Sequence, residues 1–415
     1  MAIILRMIFL AGFVFLFDCY AFEAFKTIAE DWSPLAQTAL YTGYWSIPIL
    51  LALFFLALSN GAEFLKDKAR FTLLRTFLTI AYFAKLLILG VLLLDDGRRI
   101  LLSLHEAFAG NQGYSYGRSY LMAWIAVLLG MIPLITLTYG AIRNPYRYKI
   151  FKETIVIDQL PAALDGLRIV QISDIHSGSF TKIDPVRLGV EMINEQQPDL
   201  VFFTGDLVNS MAVEMKGFVE VFDKIEAKYG IFSVLGNHDY GDYVRWNTVE
   251  EKKQNFQNLL ATHKEMGWDL MLNENRMVDI KGEKVAVIGV ENYSAHPRFP
   301  KYGDLNRASV GTETASLKLL LSHDPTHWED EVLLAPFQDI AITFSGHTHG
   351  FQFGLEIPGW FRWSPSKYIY EQWAGLYQRG KQFLYVNRGF GFLGYAGRVG
   401  ILPEITLIEL KQKSL

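Results

Sequence analysis

Five short clusters in this sequence carry donors suited to binding metal ions and moving protons. They are Ser173-Asp174-Ile175-His176, Gly205-Asp206, Gly236-Asn237-His238-Asp239, Ser322-His323-Asp324 and Gly346-His347-Thr348-His349-Gly350. The donors are carboxylates, an amide oxygen and imidazoles, with no thiolate among them. Asp-x-His and His-x-His aim two side chains of an extended segment to the same side, so both can reach one ion cluster. The flanking glycines let the backbone approach closely and adopt positive φ. Such a set favours a five- or six-coordinate pair of divalent ions, manganese foremost with iron or zinc as alternatives, over tetrahedral structural zinc. One histidine after a strand is ordinarily a satisfied polar residue. Five groups in series, each where an apolar run ends, point to a metal centre.

The elements that must hold these clusters are short apolar runs separated by helical stretches. Leu167–Ile172, Leu200–Thr204, Ile231–Leu235, Val285–Val290, Leu317–Leu321, Ile340–Phe344, Phe383–Val386 and Ile405–Ile408 read as strands. Helices are expected over Arg187–Gln197, Met215–Lys228 and Lys252–Met266. Alternation of this kind makes a layered α/β domain, in which ligands gather at the C-terminal ends of strands.

Taken as a set, the clusters resemble the five-block signature of the calcineurin-like metallophosphoesterases: D-x-H, G-D, G-N-H-D/E, a lone H, and G-H-x-H. The resemblance runs from about residue 167 to the end of the sequence. It implies two β-sheets packed face to face with helices outside. It also implies that Asp174, His176 and His349 hold one metal and that Asn237, His323 and His347 hold a second, with Asp206 bridging. Ala374-Gly375-Leu376-Tyr377, Tyr385-Val386-Asn387-Arg388-Gly389 and Pro403-Glu404-Ile405 resemble the bacterial membrane-attached branch of that family. That branch often reads G-H-T-H-G-G-Q, and Phe351 here replaces the second glycine, which makes the rim of the site bulkier and more apolar.

Two divalent ions bring four positive charges, and Asp174 and Asp206 return two. The surplus attracts a phosphate and acidifies a coordinated water, and two such ions suit in-line displacement at phosphorus. His238 cannot easily ligate beside Asn237, so it is free to face the leaving oxygen as a general acid, with Asp239 or Asp174 fixing its tautomer. Arg388 and Arg398 are candidates to hold the substrate phosphate, because guanidinium offers a two-pronged fork. Between Pro358 and Leu376 lie Trp360, Phe361, Trp363, Tyr368, Tyr370 and Trp373, interleaved with Arg362 and Lys367. The segment reads equally well as packed core and as an exposed flap at a membrane interface.

The composition has two unlike parts. Of 415 residues, 51% are hydrophobic and 20% charged, but residues 1–150 carry a net charge of +4 and the remainder −8. This excludes a disordered chain and a basic nucleic-acid binder. The single cysteine, Cys19, excludes an intrachain disulfide framework and reads as a passive thiol. Apolar runs at Ile3–Phe17, Tyr41–Leu58, Phe77–Leu94 and Tyr120–Ile142 predict about four membrane spans, since a span needs about 20 mostly apolar residues. Ile47–Leu58 and Leu121–Ile135 are apolar around the whole helix, which leaves no stripe to face water. Lys85, inside the third run, either reaches an interface or pairs, and no partner is evident. Lys66, Lys68 and Arg70 after the second run, with Arg143, Arg147, Lys149 and Lys152 after the fourth, place both termini in the cytoplasm.

The organisation expected is therefore a transmembrane all-α bundle over 1–144, a linker and first strand over 145–165, and a catalytic α/β domain over 166–415. The expected activity is metal-dependent hydrolysis of a phosphodiester, pyrophosphate or phosphomonoester at the cytoplasmic membrane. A membrane anchor biases the substrate towards a lipid, and the resemblance makes a UDP-diacylglucosamine-type pyrophosphate or a phospholipid headgroup plausible. Two alternatives stay open: a soluble nucleotide-type substrate, and a non-catalytic membrane sensor. The expected partners are the bilayer and a phosphate-containing substrate, without nucleic acid; the oligomeric state is not legible.

Overall fold

The computed structural model describes residues 2–59, 68–110, 115–357 and 360–413; the side chains of residues 2–10, 58–59 and 68–70 lie outside that description. The chain forms two compact units, Met1–Ala141 and Ile142–Leu415.

The first unit consists of α1 (Ala2–Ile28), α2 (Pro34–Ser59), α3 (Lys68–Phe108) and α4 (Tyr120–Arg143). Three stretches within them, Pro34–Ala57, Phe71–Phe108 and Tyr120–Arg143, are long and apolar enough to cross a membrane. Most of the expected first span, Ile3–Phe17, lies outside the described side chains, as do the basic residues at 66–70. Small residues let the helices approach: Ala21 and Ala24 of α1 pack with Ile88 and Leu92 of α3 and with Ala123 and Ala126 of α4. The outward surface is apolar, with Leu53, Phe55, Leu94, Leu121, Leu128 and Ile135 all exposed. That arrangement suits lipid and not water. At 41 residues, α3 runs about 60 Å, twice a bilayer core of about 30 Å. It continues past the expected end at Leu94 through a polar turn in which Arg98 and Arg99 pair with Asp95 and Asp96, each at 2.8 Å.

Lys85 has a partner that spacing alone did not reveal. Its Nζ lies 2.6 Å from Asp18 Oδ1, with the two side chains 5% and 0% exposed. Tyr82 donates to the other Asp18 oxygen at 2.8 Å, Tyr44 donates to the Asp18 carbonyl, and both rings lie under the ammonium. The cation is therefore neutralised inside the bundle.

The second unit is a sandwich of two six-stranded sheets. In chain order its strands are β1 (Lys149–Ile157), β2 (Arg168–Ile172), β3 (Leu200–Phe203), β4 (Ile231–Ser233), β5 (Asp269–Leu270), β6 (Glu274–Ile280) and β7 (Glu283–Gly289). They continue with β8 (Leu317–Leu321), β9 (Ile342–Ser345), β10 (Leu355–Ile357), β11 (Phe361–Trp363), β12 (Gly375–Arg379), β13 (Gln382–Val386) and β14 (Glu404–Gln412). One sheet has the order β1-β14-β2-β3-β4-β5, the other β12-β13-β9-β8-β7-β6, and β10-β11 form a separate hairpin. The two-residue period of strands builds the layers. Leu200 and Phe202 point between the sheets, where they meet Val285, Val287, Leu319 and Phe344. Val201 and Phe203 point outward to a second core beneath α5 (Asp184–Asn194) and α7 (Val249–Glu265), while Ala286, Ile288 and Leu320 back onto Trp328 and Phe337.

The expected helix over Met215–Lys228 shrinks to α6 (Val219–Phe222), because Gly217 takes φ 82° and interrupts the helical path. β6 escaped sequence reading because its residues, ENRMVDI, are mostly polar and only Ile280 is fully buried, as suits an edge strand.

Candidate metal centre

β2, β3 and β4 are parallel neighbours in one sheet, as are β13, β9 and β8 in the other. Their C-terminal ends meet at one edge of the sandwich. The sheets are tied there by Gln171, whose Nε2 donates to Thr204 Oγ1 and to the Ser345 carbonyl. Every cluster singled out above leaves from that edge.

Five of the candidate ligands sit in the left-handed backbone region: Asp174 (φ 52°), His176 (46°), Asp206 (61°), His347 (70°) and His349 (50°). This conformation costs about 1–2 kcal/mol per non-glycine residue. Its concentration at one edge shows turns bent to aim side chains and not to relax the chain. Gly236 is required by the same crowding, since a Cβ there would collide with the Asp206 carboxylate.

Three overlapping groups of donors converge: Asp174, His176 and His349; His176, Asp206 and His238; and Asp206, His323 and His347. His176 Nε2 and His349 Nε2 stand 3.0 Å apart, and His349 Nε2 is 3.2 Å from Asp174 Oδ1. In the other group His323 Nε2 is 3.2 Å from Asp206 Oδ2 and 3.3 Å from His347 Nδ1. Ligands at about 2.0–2.2 Å from one ion stand roughly 3.0–3.5 Å from each other, which is the spacing seen in both groups. Asp206 Oδ2 also lies 3.5 Å from His176 Nε2, so a single oxygen faces both groups. Asn237 Oδ1 is buried without a hydrogen-bond partner among the described residues, while its Nδ2 donates to Tyr243 at 2.8 Å. A buried amide oxygen left open in this way fits a cation ligand. The donor set fits two divalent ions.

In the group of His323 and His347 the outer nitrogens are anchored, which fixes ring orientation. His323 Nδ1 donates to the Thr204 carbonyl at 2.7 Å, and His347 Nε2 meets the Tyr370 hydroxyl at 2.8 Å. Burial opposes charge on both carboxylates, yet His349 and His323 hold Asp174, and His323 and His238 hold Asp206, below the ordinary carboxylate range. Burial also opposes charge on His323, but Asp206 and Asp174 outweigh it and push the imidazole up to about 10. Both acids are thereby kept ionised, the form a cation needs.

His238 stands at the rim. Its Nδ1 donates to the Asn209 carbonyl at 2.7 Å, and Tyr243 lies against the ring at 4.3 Å between centroids. The tautomer is thus set by a backbone carbonyl, and not by Asp239 or Asp174 as the sequence suggested. His238 also shares a group of donors with His176 and Asp206.

Asp239 is placed elsewhere. Its Oδ2 accepts the backbone N–H of Gly236 and Asp206 at 2.9 Å, and its Oδ1 accepts those of Leu207 and Val208 at 2.9 and 3.3 Å. Burial and the Asp206 charge push it up to about 7, against the pull of these amides. The residue splints the Asp206 loop to the Asn237 loop and is fully buried.

The two arginines expected at the substrate are also turned inward. Arg388 pairs with Glu404 at 2.7 Å and Glu356 at 2.5 Å, and is 3% exposed. Arg398 is fully buried and donates to the carbonyls of Arg388, Gly389 and Gly391. Both brace the loop behind His349, Arg388 through its two terminal nitrogens and Arg398 through all three of its guanidinium nitrogens. Sequence reasoning missed Asn209, Tyr243 and Thr204 altogether, since none lies in a spaced motif, and counted Tyr370 only as one aromatic of a run.

Comparison with known sequences agrees with this geometry. Residues 2–145 match the family described as "Probable Calcineurin-like phosphoesterase, transmembrane domain", and residues 167–351 match "Calcineurin-like phosphoesterase". The "Uncharacterized metallophosphoesterase YkuE" of Bacillus subtilis is 28% identical over 275 residues, 66% of this chain and 89% of that protein. A "Transmembrane protein with metallophosphoesterase domain" of Danio rerio is 30% identical over 69% of this chain and 62% of its own length. Its namesake in Bos taurus is 25% identical over 91% of this chain and 83% of its own, a span that takes in both units. With its donors converging at one sheet edge and its sequence matched over 2–145 and 167–351, the chain belongs to the calcineurin-like phosphoesterases that carry a transmembrane domain.

Proposed function

We propose that this membrane protein hydrolyses a phosphoester bond at a two-metal centre, acting on a lipid phosphate at the cytoplasmic face. The observation that supports it best is the single Asp206 oxygen set between two groups of donors at ligand spacing. In this reading Asp174, His176 and His349 hold one ion, and Asn237, His323 and His347 the other, with Asp206 shared. Manganese suits the oxygen-rich, thiolate-free set. When bound, such a pair supplies positive charge for the phosphoryl oxygens and activates the attacking water.

The remaining work falls to the chain. His238, its Nδ1 fixed on Asn209, presents Nε2 to the leaving oxygen and gives it a proton. Tyr243 holds both the His238 ring and the Asn237 amide, which keeps acid and ligand in register. The apolar bundle favours a substrate presented by the bilayer, and the basic residues at 143–152 favour the cytoplasmic side.

The test is metal analysis beside kinetics on the full-length protein, with manganese and bis-p-nitrophenyl phosphate. Asp206→Ala is expected to lose both bound metal and turnover. His238→Ala is expected to keep its metal and lose turnover by about 10²–10⁴-fold, the usual worth of a general acid. A metal-depleted His238→Ala or a fully loaded Asp206→Ala overturns these roles. Hydrolysis of nucleotides with none of phospholipids would move the substrate to the aqueous phase.

A further inference from the structure

We infer that the β10–β11 hairpin and the turn following it lie in a lipid surface, so that the metal centre opens at the bilayer. The contact itself is a property of the fold; only its meaning for a lipid substrate rests on the function proposed above.

The outward side of this segment is strongly apolar. Phe351, Leu355, Trp360, Phe361, Tyr368 and Ile369 are all exposed, Trp360 at 81% and Tyr368 at 74%. Large aromatics bury roughly 150–250 Å² each, so the patch exceeds the few hundred Å² that a water-facing surface ordinarily carries. Trp and Tyr beside Lys367 form the mixture that settles at headgroup depth.

The inward side is pinned to the site. Ser364 Oγ donates to the Gly350 carbonyl beside His349 at 2.7 Å, Glu356 pairs with Arg388, and Tyr370 reaches His347. Arg362 turns back to the Ala374 carbonyl and lies over Tyr377. The hairpin is therefore a fixed rim with its apolar side left uncovered.

Its place in the fold identifies what covers it. Asn144 directly follows Arg143, the last residue of the bilayer-length helix α4. Within the catalytic unit, Asn144 Nδ2 donates to the Arg398 carbonyl at 2.8 Å. The next residue, Val399, bridges to Phe353 and accepts the Gly354 N–H at 2.9 Å, and β10 begins at Leu355. Three short steps thus lead from the residue leaving a membrane helix to the base of the apolar hairpin. A lipid surface is already tethered at that point by the chain itself.

The full-length chain in liposomes tests this, on a Cys19→Ser background with single cysteines at Trp360→Cys, Tyr368→Cys and, as control, Val310→Cys, an exposed site in a different loop. Each is labelled with an environment-sensitive fluorophore and quenched by doxyl-labelled lipid or by aqueous iodide. The probes at 360 and 368 are expected to be blue-shifted and quenched by lipid several-fold more than the probe at 310. Equal lipid quenching at all three sites, or preferential iodide quenching at 360 and 368, overturns the inference. So does a blue shift that vanishes at one chain per vesicle, which would assign the patch to a second copy. A sample quenched by lipid yet inactive on every phosphoester supports the contact and overturns the function instead.

Discussion

Asp239→Asn separates a splint from a catalyst. The carboxylate receives four backbone N–H groups, two on each oxygen, in a fully buried position. An amide retains one acceptor oxygen and turns an NH₂ group towards the other two donors. Two buried N–H groups are then unsatisfied, at about 1–3 kcal/mol each, so the variant should lose roughly 2–6 kcal/mol. That is a large share of the 5–15 kcal/mol typical of a domain. Because the amides belong to Gly236, Asp206, Leu207 and Val208, the loosened loops are those bearing Asp206 and Asn237. Metal content should fall together with stability. The assay is urea unfolding of the full-length protein in detergent, with metal analysis and turnover measured on the same samples. A variant of unchanged midpoint and full metal content that has lost only turnover would show Asp239 acting on substrate, and the splint argument would fail.

Chelation of the metal should lower both activity and melting temperature, with manganese restoring both. A ligand at 100 times its dissociation constant stabilises by about 2.7 kcal/mol, a shift of several degrees for a unit of this size; an unchanged melting temperature would refute linkage between metal and fold. In the bundle, Lys85→Met should destabilise by about 3–5 kcal/mol because it leaves the buried Asp18 without its counter-charge, whereas adding Asp18→Leu should recover most of that loss in a thermal unfolding assay. Additive losses in the double variant would refute the pairing. His263 is buried with its Nδ1 on Ser233, and burial pulls it down to about 3, so the unfolded chain binds a proton that the folded one refuses. Its contribution is full above pH ~6.5 and declines towards pH 3, so wild type should lose ~2 kcal/mol more than His263→Gln between pH 7 and 5; equal losses would refute this.

The sequence displayed the centre more fully than its surroundings. Hard ligands after apolar runs are local signals, because a strand end and its loop are contiguous, and a strand buried on both faces shows itself as a continuous apolar run such as Leu200–Phe203. Roles decided across the fold were hidden. Arg388 offers a fork in any context, and only the folding of Glu356 and Glu404 around it turns that fork inward. Asp239 stands beside His238 in sequence, yet the turn from Asn237 to Tyr240 sends the two side chains apart, one to backbone amides and one to the rim. Asp18 and Lys85 are 67 residues apart, and no helical spacing could pair them. The expected helix after Met215 failed for a local reason, a glycine in a left-handed turn.

The order of strands also sets a timetable for synthesis. β14 lies between β1 and β2 and, among the described residues, is the strand that joins them in the sheet. It also delivers Glu404, whose carboxylate accepts from Arg388 and Tyr385, and Thr406, which accepts from Asn387. Until residues 404–412 leave the ribosome, β1 and β2 each present an open edge, and the loop behind His349 lacks its brace. At 5–20 residues per second, the interval between completing β1 and completing β14 is roughly 12–50 s. Throughout it the nascent chain is already held at the membrane by helices made earlier. Open strand edges beside a lipid surface invite wrong pairings, so this architecture asks the cell to shelter a half-built sheet for most of the time that it takes to translate the catalytic unit.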